Sequence, residues 1–210
     1  VERLRGREHV RQLLEIELDR YLSGRAGDTY AEVPLYKSDD QAYLFYNKAA
    51  VVLFAIRDLL GEEAMDRAIR AMMQESRPTS VDLVRHLRAV ADAGQGVLID
   101  QWMREIVLYD LRIETAEARR RADGRYDVTV RIDAGRSRAD GRGNEQPLAL
   151  DEPIEVEIAA DTKVLDSRKH VLRRGMNEIR LVVDALPSSV TVDPGITRID
   201  RNPVDNETRF

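Results

Sequence analysis

The spacing of hydrophobic positions changes once along this chain. Up to about residue 108 apolar residues recur every three or four positions; beyond it they alternate. In the first regime Val10, Leu13, Leu14, Leu18, Tyr21 and Leu22 form one stripe, which Ser23-Gly24 ends. Residues 25–40 are polar, with Pro34 after Glu32-Val33, and predict an extended loop. The clearest stretch is Gln41 to Gly61. There Phe45, Ala49, Val52, Leu53, Ile56, Leu59 and Leu60 predict a helix with one buried face, stopped by Gly61 as a C-terminal glycine cap. A third helix is expected at about 62–75, using Met65, Ala68, Ile69, Met72 and Met73 as core. Pro78 precedes Thr79-x-x-Asp82, which resembles a capping box and starts a fourth helix carrying Leu83 or Val84, Leu87 and Val90-Ala91. That helix should end near Gly94 and Gly96, with a fifth over about 97–107 through Leu98, Trp102 and Ile106.

In the second regime Leu111 and Ile113 alternate with charged residues. Tyr126, Val128, Val130, Ile132 and Ala134 continue the pattern after an Asp123-Gly124 turn. Ile154, Val156 and Ile158 repeat it, as do Ile179, Leu181 and Val183, then Val190 and Val192. Turn signals fall at Asp140-Gly141, Arg174-Gly175 and Leu186-Pro187, and Ala118 to Arg125 is a charged hairpin tip. The expected fold is α+β: a helical part over 1–108 and a β-sandwich of immunoglobulin or fibronectin type over 109–210, with the seam near Tyr109-Asp110.

Composition narrows the function classes. Lys+Arg 33 against Asp+Glu 38 gives a net charge of −5, with the signs interleaved. No basic stripe for nucleic acid or cationic face for a membrane results. Cysteine is absent, which removes disulfides and thiolate metal sites. No apolar run approaches a membrane span and no signal peptide is visible, so a soluble fragment is expected. The chain opens on Val1 rather than methionine, which suggests a piece of something longer.

Tyr46 and Lys48 stand on the first turn of the clearest helix, after the polar run Lys37 to Gln41. Tyr46-Asn47-Lys48-Ala49-Ala50, with Leu59-Leu60-Gly61-Glu62-Glu63 and Ala64-Met65 behind it, resembles the aminopeptidase N family of zinc metallopeptidases, the gluzincins. That family has Tyr-x-Lys-Gly at the corresponding place, so Ala49 departs from the pattern. The resemblance extends to Thr79-x-x-Asp82-Leu83 and to a Trp102 helix that runs into a β domain. The tail Ile199 to Asn206 is similar to the ending of a bacterial branch in which the peptidase is fused behind an ABC-type permease. The resemblance implies that Tyr46 donates a hydrogen bond to the oxyanion of the tetrahedral intermediate of peptide hydrolysis. It implies a peptide substrate, with Lys48 and Tyr43 as candidate substrate-binding residues. Taken alone, Lys48 reads sooner as a solvated helix lysine, and Tyr43, like Tyr36, sooner as a packing residue than as part of a cleft. The resemblance further implies a parent tethered to the inner or cytoplasmic membrane, with this part outside the cytoplasm.

A gluzincin holds zinc with His-Glu-x-x-His and a downstream glutamate. This chain has His9, His86 and His170, with no pair at that spacing. Zinc is therefore expected in an upstream metal-binding half of the same protein, no cofactor in this chain, and no hydrolysis by the chain alone. Two function classes remain open: the C-terminal part of a zinc aminopeptidase-like protein, or a non-catalytic binding or assembly module beside a transporter.

Overall fold

The two periodicities become two kinds of element. A computed structural model describes residues 6–210, with helices α1 (Arg7–Gly27), α2 (Ala49–Leu60), α3 (Glu62–Met72), α4 (Ser80–Ala89) and α5 (Ala93–Arg104). Between α1 and α2 lie a 3₁₀ turn, Leu35–Lys37, and a π-helical turn, Tyr43–Lys48. Eight strands follow: β1 (Ile106–Arg120), β2 (Tyr126–Ala139), β3 (Glu145–Leu148), β4 (Asp151–Ala160), β5 (Lys163–Arg173), β6 (Gly175–Val183), β7 (Ser189–Val192) and β8 (Glu207–Arg209). The chain is thus α+β with antiparallel sheets.

Several helix boundaries differ from the expectation: α4 ends at Ala89 rather than near Gly94, α5 ends at Arg104 with Ile106 already in β1, and two more differ for a clear local reason. α1 does not stop at Ser23-Gly24 but continues to Gly27. Gly24 sits inside the helix because a Cβ there would lie 2.6 Å from Cβ of Tyr43, so the glycine allows close approach rather than termination. α5 starts at Ala93, not 97, because Asp92 and Gln95 form a reciprocal capping box, with Gln95 N donating to Asp92 Oδ1 (2.8 Å) and Asp92 N to Gln95 Oε1 (3.0 Å). Gly94 and Gly96 therefore lie within a helix. The expected box at Thr79 and Asp82 and the glycine cap at Gly61 are both present. Met73, expected in the core, falls just past α3 and is exposed.

One compact unit takes the chain up to Val107 together with Arg138–Gln146 and Ile196–Ile199. The other takes Leu108–Ser137, Pro147–Gly195 and Asp200–Phe210. A two-block division at 108/109 becomes an interleaved one, because the short later returns of the chain carry no periodicity of their own.

The β elements make two four-stranded sheets. In one, β2 joins β1 and β3 and pairs antiparallel with β6 from Tyr126↔Val183 to Ala134↔Gly175. The other runs β5-β4-β7-β8. The alternating sets keep their buried faces: Val128, Val130, Ile132 and Ala134 on β2, Ile154, Val156 and Ile158 on β4, and Val190 and Val192 on β7. β5 gave no alternation signal because it is an edge strand carrying Lys163, Asp166, Arg168, Lys169 and Arg173 among its positions.

The tail is tied to β1 by a buried carboxylate. Asp200, 1% exposed, accepts from Leu111 N (2.9 Å), Asn202 N (2.9 Å) and Asn206 Nδ2 (3.3 Å), while Arg201 N donates to Tyr109 O (3.1 Å). Burial raises the Asp200 carboxyl to about 7; the three donors oppose this and Asp110 adds to it.

Two predictions follow from this packing. Gly24→Ala should gain up to about 1 kcal/mol in helix propensity but lose more, roughly 1–3 kcal/mol, to overpacking against Tyr43. Urea denaturation should show net destabilisation; a stabilised variant would mean the contact relaxes freely. For Asp200, the folded state holds its proton more tightly than the unfolded chain does. Its contribution is therefore present below about pH 4 and lost as pH rises toward about 7. Relative to Asp200→Asn, wild-type stability should fall across that window, and parallel pH profiles of the two proteins would contradict this.

Candidate functional site

The site begins with a row of buried positions four residues apart: Leu44, Lys48, Val52 and Ile56. In an α-helix of 3.6 residues per turn, positions four apart drift steadily around the axis. The π-helical turn offsets that drift at the start of the row. Its signature is the Ala49 N–H, which reaches back five residues to Leu44 O. Such wide turns are uncommon and frequently accompany functional positions. The turn also changes which aromatic faces water. Phe45, expected on the buried face, is 37% exposed, and the Tyr46 side chain is 69% exposed. Their rings lie 4.5 Å apart and tilted.

Beneath the turn is a buried carboxylate. Glu32, 5% exposed, accepts from Lys48 Nζ (2.7 Å) and Tyr21 Oη (2.9 Å) through Oε1, and from Arg25 Nε (2.7 Å) through Oε2. Its backbone N–H donates to Gly141 O (2.9 Å), and the close approach needs a glycine there: φ is +79° and a Cβ would meet Glu32 O at 2.2 Å. Tyr21 lies in the apolar stripe of α1 with its ring 5.1 Å from the Lys48 ammonium. Burial pushes the Lys48 ammonium down and Glu32 opposes it, with a net downward shift. Burial, then the neighbouring Glu32 charge, pushes the Tyr21 hydroxyl well up, so the phenol stays a donor.

Gln41 fastens the entrance of the turn. Its side-chain amide donates to Asp28 Oδ2 (2.8 Å) and Tyr43 Oη (3.0 Å), while its backbone carbonyl accepts from Leu44 N (2.9 Å). On the outer side, Asn47 Nδ2 donates to Glu17 Oε2 of α1 (2.5 Å).

These contacts separate the three candidate residues. Tyr46 alone presents its side chain to solvent. Lys48 is 1% exposed, so the solvated-lysine reading is corrected, and a substrate-binding role has no exposed surface to act through. The stripe itself held the clue, since a lysine midway between Leu44 and Val52 shares their buried face. Tyr43 is half-buried against Gly24 and Tyr21, its hydroxyl pushed up by burial and then by Glu32 and Asp28. Glu32, Tyr21 and Arg25 went unrecognised in the sequence. Glu32 sits in an irregular stretch with no periodicity, and Tyr21 reads as one more apolar position.

The histidines do not assemble. His9 lies exposed on α1, His86 Nε2 is 3.1 Å from Glu75 Oε1 on the α4 side, and His170 is on β5. Among the described residues no group of three or more His, Cys, Asp or Glu is placed to hold a metal ion. Among the described residues, too, no helix is long and apolar enough to cross a membrane. No protein-family model matches the chain, and no curated protein does.

Stability should separate the two tyrosines. Tyr21→Phe removes a donor to a buried charge and should cost about 1.5–3 kcal/mol. Tyr46→Phe removes an exposed hydroxyl and should stay within about 0.5 kcal/mol of wild type. Chemical denaturation of both variants is the check; equal losses would contradict the burial difference.

Proposed function

We propose that this chain is the C-terminal part of a zinc aminopeptidase-like protein of the aminopeptidase N (gluzincin) type, with Tyr46 as the oxyanion donor in peptide hydrolysis. The observation that carries the proposal is the presentation of Tyr46: an exposed phenol on a π-helical turn whose underside is fixed by a buried ion pair. A donor held in place before charge develops stabilises the transition state without reorganising. The zinc such an enzyme requires would be held by an upstream half of the same protein, since no two of His9, His86 and His170 have the His-Glu-x-x-His spacing, and the metal's own chemistry would belong to that half. What this chain contributes is a positioned proton donor. The substrate is a peptide. The β part is of immunoglobulin or fibronectin type, and the parent belongs to the branch fused to an ABC-type permease, membrane-tethered with this part outside the cytoplasm.

The competing reading is a non-catalytic binding or assembly module of a transporter-associated protein. It is favoured by the exposed apolar groups that accompany Tyr46 on the same unit: Phe45, and Leu13 and Ile16 of α1, each more than a third exposed. Such groups suit a protein contact as well as a substrate cleft.

Turnover of Tyr46→Phe in the full-length protein separates the two. The proposal expects a loss on the order of a hundredfold in kcat, about 3 kcal/mol, with KM little changed. Unchanged turnover in an active parent would remove Tyr46 from the chemistry, and a parent with no zinc-dependent hydrolysis would support the module.

A further inference from the structure

We infer that the buried Glu32–Lys48 pair holds the π-helical turn in place and thereby sets the direction of the Tyr46 hydroxyl. Both are positioning residues that act through the backbone between Leu44 and Ala49. The catalytic consequence rests on reading Tyr46 as the oxyanion donor; the mechanical part does not.

Leu44 and Lys48, four residues apart and so on one helical face, are both fully buried, at 0% and 1% exposure. Continuing α2 backward as a regular α-helix would bring position 45, seven before Val52, to that buried side as well. The wide turn instead leaves Phe45 exposed, and the contact that holds Lys48 inward is its 2.7 Å bond to Glu32 Oε1. Glu32 is itself immobilised from three sides. Tyr21 and Arg25 of α1 grip its two oxygens, and Gly141 O takes its backbone N–H. Lys48 therefore docks onto a fixed point. The three side chains just before Lys48 make their contacts elsewhere. Phe45 and Tyr46 face water, and Asn47 is tied outward to Glu17. Tyr46 lies two residues before Lys48, inside the widened segment, so releasing the lysine lets the turn rewind and swings the phenol away. Misplacing a catalytic group by 1 Å can cost on the order of a hundredfold in rate.

The test uses Lys48→Met, Glu32→Gln and the double variant Glu32→Gln/Lys48→Met. The double variant keeps the site neutral if either single variant fails to fold with a buried unpaired charge. In the chain itself, amide hydrogen exchange by NMR should show residues 43–49 losing about tenfold or more in protection in the double variant, with α2 beyond Val52 changing less than about threefold. Unchanged protection of the turn, or an equal loss along α1 and α2, would overturn the inference. In the full-length protein the double variant should lose about tenfold or more in kcat with KM within about threefold. Adding Tyr46→Phe should then cost less than about fivefold, because the donor is already displaced. A full hundredfold cost of Tyr46→Phe in both backgrounds would show that the pair does not aim it. If Tyr46→Phe costs nothing in the wild-type background, the catalytic reading fails, and hydrogen exchange alone decides the role of the pair.

Discussion

A carboxylate buried among three donors organises the helical unit. Glu32 brings together residues far apart in the chain: Tyr21 and Arg25 on α1, Lys48 at the junction of the π turn with α2, and Gly141 in the β2–β3 turn. A charge taken out of water is costly unless every lone pair finds a partner, and here both oxygens are engaged. Removing one member of such a pair typically costs about 3–5 kcal/mol, whereas replacing both with apolar groups can be nearly neutral. The pair is thus weak as a source of net stability. Its contacts join α1, the loop that carries Glu32 and the end of the turn that carries Tyr46.

Much of the fold was legible in the sequence because it rests on local rules. Gly61 ends α2 with φ +81°, Thr79 and Asp82 cap α4 reciprocally, and the alternating residues of β2, β4 and β7 bury the expected faces. The misses share one cause: each depends on a neighbour remote in the chain. Gly24 reads as a helix stop until Tyr43 is laid against it. Phe45 reads as core until the π turn rotates it outward. β5 goes unremarked because an edge strand needs charges more than alternation. The Asp92–Gln95 box is the exception, a local signal that was present and overlooked.

The family resemblance nominates Tyr46 as a candidate, and the structure adds the buried Glu32–Lys48 contact at the end of its turn, which a single sequence could not reveal. Lys48, a candidate substrate-binding residue by resemblance, is buried and ion-paired with Glu32. Tyr43 likewise packs at the entrance of the turn, beside Gly24 and Tyr21. Of the three candidates Tyr46 is exposed, Tyr43 half-buried and Lys48 buried. That division suits a preorganised donor, in which the reactive group is exposed and its support is buried.

The most direct test is a crystal structure of the full-length protein with zinc and a tetrahedral transition-state mimic of peptide hydrolysis. The account predicts the Tyr46 hydroxyl within hydrogen-bonding distance, roughly 2.6–3.2 Å, of the oxygen that stands for the oxyanion. It also predicts an unchanged Glu32–Lys48 bond beneath the turn. A mimic bound with Tyr46 turned away, or a full-length protein in which no metal faces this unit, would contradict it.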